Sequence, residues 1–139
     1  MARQDAYLEH LAQVPMFSVC SKKELTLISK RSQEREVAPG TTLTEEGKPG
    51  DELFIIIEGE CRVTRKGEFV TELGPGAFFG ELALLDKPVR DATITALTPM
   101  RLLVVRRREF EVLLIEVPSI ARKLLRGLAQ RLHALDALA

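Results

Sequence analysis

Hydrophobic positions along the chain change their period twice. In residues 2–14 the apolar side chains Ala6, Leu8, Leu11, Ala12 and Val14 suit one helical face, and Pro15 stops the run, because proline lacks the N–H that a continuing helix needs. A second helix is predicted over 22–31. Ser21 precedes it and Glu24 sits three residues on, the spacing at which hydroxyl and carboxylate reciprocally satisfy the free N–H groups of a first turn. From Glu34 the pattern turns to short β-type runs, "EREV", "TTLTEE", "ELFIIIEGECRVTR", "GEFVTEL", "DATITAL" and "MRLLVV", with glycines at 40, 47, 50, 59, 67, 74, 76 and 80 between or at their edges. "GPGAFF" reads as a turn. Many short strands at this spacing predict an antiparallel sandwich or barrel of jelly-roll type, which can hold one small ligand.

After Arg107 the helical period returns in "REFEVLLIEV", breaks at Pro118 and resumes over about 119–138. There Leu125, Leu128, Leu132, Leu135 and Ala139 recur in alternating steps of three and four, so they share one face. Packing on the chain's own barrel is the expected use of that stripe; a dimer seam and a lid over a pocket are the alternatives. The fold class is therefore mainly β with flanking helices: one domain over 1–139, with N-terminal helices in 1–33, a β-barrel in 34–106 and closing helices in 107–139.

Composition narrows the chemistry. At 139 residues and 45% apolar content the chain can bury a core, and 20 basic against 20 acidic side chains leave no global field to attract nucleic acid or an anionic membrane. Any anion site must be local. "MARQDAYLEH" carries charges where a secretory leader needs an apolar core, and runs such as "LFIII" are too short to span a bilayer, so a cytoplasmic protein is expected. Cys20 and Cys61 form no CxxC pair and read as reduced packing residues. With His10 and His133 the only histidines and no Gly-x-Ser-x-Gly motif, neither a metal centre nor a serine nucleophile is expected, and the chain does not read as an enzyme. "RRR" at 106–108 reads as a solvated strand end.

One stretch carries chemistry: "FFGELALLDKPVRDAT", residues 78–93. Gly80 allows close approach of the backbone, and "ELALL" can form a turn or two of helix whose free N–H groups face whatever sits by Gly80. Arg90 can return to the same point and clamp a phosphate with two parallel hydrogen bonds. Glu81 would repel that phosphate but can accept from a neighbouring hydroxyl such as a sugar's. The set suits a ligand with one phosphate and one adjacent hydroxyl; equally, Glu81 and Arg90 can simply pair across a loop.

The same stretch, "GPGAFFGELALLDKPVRDAT", resembles the phosphate-binding cassette of cyclic-nucleotide-binding domains, Phe-Gly-Glu-(Leu/Ile)-Ala-Leu, a short loop, then Pro-Arg-(Ala/Ser/Thr)-Ala-Thr. "EEGKPGDELFIIIEGECRV" resembles the family's first barrel strands and "RREFEVLLIEVPSIARKLLRGLAQRL" its two closing helices, so the likeness runs from about residue 13. The resemblance implies a cAMP or cGMP sensor with no cofactor. Glu81 and the amide of Gly80 would bind the ribose 2′-hydroxyl, Arg90 the exocyclic phosphate oxygens, and the amides of Leu82, Ala83 and Ala92 would surround that phosphate. Val63, Val70 and Leu73 would line sugar and base, and a residue between about 120 and 138 would cap the base. It further implies an effector partner or self-association through the last helix. The catabolite-activator branch adds a helix-turn-helix, which residues 1–139 do not show, so direct DNA binding is not expected.

Two positions depart from the pattern. Pro88 comes one residue early, and Asp91 replaces a small or hydroxyl residue. A carboxylate at ~4 Å from a bound phosphate in a partly shielded site would oppose it by ~4 kcal/mol. Asp91 could point into solvent, accept from a base amino group as a ligand contact, or occupy Arg90 itself. The last case would leave a domain of the same fold that serves only as a protein-interaction module.

Overall fold

The computed structural model describes residues 8, 9 and 11–138, with side chains as far as residue 133. Ala6, His10 and Ala139 lie outside the described residues, as does the side chain of Leu135. Residues 30–110 form one compact unit, and residues up to 29 with those from 111 onward form another.

The first unit contains eight strands: β1 (Gln33–Val37), β2 (Thr42–Thr44), β3 (Glu52–Glu58), β4 (Cys61–Arg65), β5 (Glu68–Leu73), β6 (Phe78–Phe79), β7 (Thr93–Ala96) and β8 (Met100–Arg106). They make two antiparallel sheets, β1-β8-β3-β6 and β2-β7-β4-β5, the jelly-roll arrangement that the strand spacing predicted. Alternation places Phe54, Ile56, Leu102 and Val104 of one sheet against Cys61, Ile94 and Ala96 of the other in one apolar cluster. Each large side chain buried there is worth about 1.5–3 kcal/mol. Burial holds the Cys61 thiol neutral, pushing its pKa to about 11.

"GPGAFF" is not all turn. Phe78 and Phe79 pair with Ile55 and Phe54 as β6, and the rings of Phe54 and Phe79 stack with centroids 4.8 Å apart. Two residues are too few to show a period of their own, so β6 exists through its pairing with β3.

The helical unit opens with helical turns at Leu8, Glu9, Leu11 and Ala12, and Pro15 then starts a 3-10 turn, Pro15–Phe17, with Met16 and Phe17 buried. Helix α1 (Lys22–Arg31) has the predicted capping box: Glu24 N–H donates to Ser21 Oγ at 3.1 Å, and Ser21 N–H to Glu24 Oε1 at 2.9 Å. After the short α2 (Leu82–Leu85) of the strand-bearing unit come α3 (Arg107–Glu116) and α4 (Pro118–Leu138). The break falls at Val117, and Pro118 is the first residue of α4 rather than a gap before it, since proline's fixed φ and missing N–H cost nothing at a first helical position. Helix α4 packs on the Pro15–Phe17 turn and buries Ile120 and Leu124.

The leucine stripe corrects the expectation of burial. Leu125 is 65% and Leu132 62% exposed, and Leu128 is half-buried; the buried face of α4 is one residue out of step with the stripe.

Candidate functional site

Strand β6 delivers the chain to Gly80, whose φ of +90° lies in the left-handed region. A Cβ there would also sit 2.6 Å from the carbonyl oxygen of Glu52 and 2.8 Å from Arg90 Nη1. Both conformation and space demand glycine. Glu81 follows, 2% exposed, at the N-cap position of α2. Leu84 and Leu85 N–H donate to the Glu81 carbonyl at 3.0 and 2.9 Å, and Asp86 N–H to that of Leu82 at 2.9 Å. In a helix this short the first N–H groups, those of Leu82 and Ala83, have no acceptor within the turn. Ala83 is buried, while Leu82 is 44% exposed.

The far end of α2 is fastened by a residue the sequence reading assigned to solvent. Arg107, first in α3, donates from Nη2 to Ala83 O at 2.6 Å and from Nη1 to Leu84 O at 3.1 Å. A guanidinium on the last carbonyls of a helix satisfies acceptors and complements the negative end of its dipole. Of the "RRR" run, Arg106 is exposed at the strand end, but Arg107 is not a solvated residue.

Arg90 is placed by its backbone. Its N–H donates to Lys48 O at 2.8 Å, its carbonyl accepts from Gly47 N–H at 2.9 Å, and Gly50 N–H donates to Pro88 O at 3.2 Å. Loop 47–50 is thus laced to loop 88–90. The side chain then crosses Gly50, where a Cβ would overlap Nε, Cζ and Cδ of the arginine. Its guanidinium carbon stands 5.6 Å from the centroid of Phe54, and Nη1 donates to Gly80 O at 3.2 Å. Arg90 is 7% exposed, and among the described residues no carboxylate pairs with it within 4.0 Å. Burial lowers its pKa, an effect opposed in turn by Glu52, Asp51 and Glu81; a guanidinium remains charged throughout the working range of pH. What results is a buried cation with five N–H donors, one of which donates to Gly80 O among the described residues.

The Glu81 carboxylate is near enough to Arg90 to act on its charge. Asp91 is exposed, and among the described residues its carboxylate makes no ion pair with Arg90; its carbonyl accepts from Arg65 Nε at 3.2 Å. The next residue, Ala92, is half-buried, its carbonyl accepting from Thr44 Oγ1 at 2.9 Å.

Gly80, Glu81, Leu82 and Ala83 are therefore consecutive in the turn that Arg90 reaches. Val63 and Leu73 are half-buried against the apolar cluster. Val70 is 51% exposed and falls where the register between β4 and β5 slips, Val63 pairing with Thr71 and Thr64 with Phe69. The sequence reading did not single out Gly50, Glu52, Phe54 or Arg107. "PGDELF" carries a Pro-Gly turn signal, but nothing in it names an arginine forty residues away. Among the described residues no group of three or more His, Cys, Asp or Glu could hold a metal, and no helix is long and apolar enough to cross a membrane.

A chain with this geometry has recognisable relatives. The family profile of the cyclic nucleotide-binding domain matches residues 34–116. A cyclic nucleotide-gated potassium channel of Mesorhizobium japonicum is 37% identical over 111 residues, 80% of this chain and 31% of the channel. The CRP-like cAMP-activated global transcriptional regulator of Mycobacterium tuberculosis is 32% identical over 130 residues, 90% of this chain and 58% of the regulator. In three dimensions the catabolite activator protein of Thermus thermophilus superposes with a TM-score of 0.80 at 30% identity, covering 88% of this chain and 60% of that one. The chain spans less than two thirds of each of these proteins. Its two jelly-roll sheets, its Gly80–Arg90 turn and the profile match over 34–116 agree: the chain belongs to the cyclic nucleotide-binding domain family.

Proposed function

We propose that this domain is a sensor of a cyclic nucleotide, cAMP in the first place, and that it regulates a partner rather than catalysing a reaction. The observation that carries the reading is Arg90: a buried guanidinium with no carboxylate at ion-pair distance among the described residues, held over Phe54 beside the turn at Gly80. Its unused donors suit a phosphate, which a planar guanidinium binds through two parallel charge-assisted hydrogen bonds. The amides of Leu82, Ala83 and Ala92 add donors to the same anion. Glu81, buried beside them, accepts from the ribose 2′-hydroxyl together with the contribution of the Gly80 amide. Val63, Val70 and Leu73 supply apolar contact to sugar and base, and a residue between 120 and 138 caps the base.

Binding switches the domain only if the ligand prefers one arrangement of the cassette over another. An effector domain or a second copy then reads the change through the exposed face of α4. Contact with DNA is no part of this reading, and the cytoplasm is the compartment where such a ligand would be met. The competing idea, a fold that has lost its ligand, requires Asp91 on Arg90. The exposed setting of Asp91 speaks for retained binding.

Calorimetric titration with cAMP and with cGMP tests the proposal. Saturable heat is expected with cAMP, abolished in Arg90→Ala, while Asp91→Ala, which removes an exposed charge, should alter the affinity by less than about fivefold. A folded sample that gives no heat with either nucleotide would reject the sensor and leave the interaction module. Loss of binding in Asp91→Ala would make that carboxylate a ligand contact.

A further inference from the structure

Behind Arg90 lies a charge arrangement that the cassette residues do not explain. Glu52 opens β3, and its Oε2 receives Arg35 Nη2 at 3.1 Å and stands 3.9 Å from Arg106 Nε. Its Oε1 has no hydrogen bond or ion pair among the described residues. The Glu52 side chain is 18% exposed, and its own carbonyl lines the space beside Gly80. Among the neighbouring carboxylates Glu52 acts most strongly on Arg90, ahead of Asp51 and Glu81. Arg35 and Arg90 also share one ring: their guanidinium carbons lie 5.9 and 5.6 Å from the centroid of Phe54, and so at most about 11.5 Å from each other. Glu52 is therefore bonded to a cation on β1, with Arg106 farther off on the same oxygen, while its main-chain oxygen and Arg90 Nη1 both crowd the Cβ position of Gly80.

We propose that Arg35 is a positioning residue for the anion site: by holding Glu52 it prevents that carboxylate from closing on Arg90 and so keeps the cassette guanidinium open to phosphate. Arg35 touches no ligand in this scheme. A carboxylate and a phosphate compete for the same fork of donors, and a carboxylate already satisfied by another guanidinium competes poorly. Arg106, longer by almost 1 Å and on the same oxygen, is too exposed to hold Glu52 alone.

For its effect on nucleotide the inference rests on the sensor reading, so the test has two arms. In the first, cAMP affinity is measured in a double-mutant cycle. Arg35→Gln should bind about tenfold more weakly, Arg35→Lys close to wild type, and Glu52→Gln several-fold more tightly; Arg35→Gln/Glu52→Gln should match Glu52→Gln. A purely structural Arg35 would weaken binding equally in both backgrounds. That result, unchanged binding in Arg35→Gln, or no gain in Glu52→Gln overturns the proposal. The second arm needs no nucleotide. In ligand-free protein the Nε–Hε resonance of Arg90 should shift, and its exchange with water slow, in Arg35→Gln, and return in the double variant. A resonance indifferent to Arg35 refutes the inference even if wild type binds neither cAMP nor cGMP, whereas a shift without nucleotide binding refutes only the sensor.

Discussion

Gly50 and Gly80 are both required to be glycine, for unlike reasons. At Gly80 the backbone itself is left-handed and a Cβ would meet a main-chain oxygen, so any side chain strains the turn. At Gly50 the nearest obstacle is the side chain of Arg90, which can swing aside. Gly50→Ala should therefore leave the circular dichroism spectrum and the fold intact while weakening cAMP binding at least about thirtyfold, because the arginine is displaced from its place over Phe54. A calorimetric titration of the variant checks this, and unchanged affinity would show that the overlap is relieved without moving the guanidinium. That Gly80, Glu81 and Arg90 come together could be read from the sequence because they share one short stretch. The part of Gly50, Glu52 and Phe54 could not. They come to Arg90 through the pairing of loop 47–50 with loop 88–90 and of β3 with β6, and a linear pattern does not encode which distant segment crosses which.

Among the elements, α2 is too short to stand alone. Four residues form too few hydrogen bonds to repay the ordering of a first turn, so α2 depends on its ends. Glu81 begins it and Arg107 closes it with two charge-assisted bonds to Ala83 and Leu84. Arg107→Gln should accelerate amide exchange at Leu84, Leu85 and Asp86 by about tenfold and lower stability by roughly 1–3 kcal/mol; hydrogen-exchange mass spectrometry with a denaturant titration reads both. Exchange unchanged in that segment would mean that Ala83 and Leu84 hold the turn by burial alone. The larger elements followed from periodicity: α1 with its Ser21–Glu24 box lies where the spacing put it, and α3 begins one residue earlier than read, at Arg107 itself. The misreadings have local causes. Pro118 looks like a stop in either role, since its ring is as well suited to begin a helix as to end one. The "RRR" run looks uniform, yet strand end and helix start divide it, sending Arg106 outward and Arg107 onto a neighbouring turn.

For the whole molecule, equal numbers of acidic and basic side chains leave recognition to local features, and those features are unlike in character. One is the recessed cation of the cassette. The other is the apolar line on α4, where Leu125 and Leu132 remain exposed at the spacing of a helix-to-helix seam. If a second copy covers that line, sedimentation velocity should show association that Leu125→Lys/Leu132→Lys weakens at least about tenfold, with the cAMP titration of the variant unaltered. Equal sedimentation of the two proteins assigns the line to a different partner. The jelly roll was legible as strand count and turn spacing; the strand order of each sheet and the exposed setting of the stripe were not, because both depend on which surfaces meet.

Arg90 has one further consequence, for the history of such a chain. A cation largely sequestered from water, and with no carboxylate within 4.0 Å among the described residues, is a standing weakness of the empty fold. Variants selected for heat resistance alone would be expected to replace it with a methionine or leucine of similar bulk, and would melt higher while losing the charge beside Gly80. Arginine at this position exchanges durability for a charge that no hydrophobic side chain supplies.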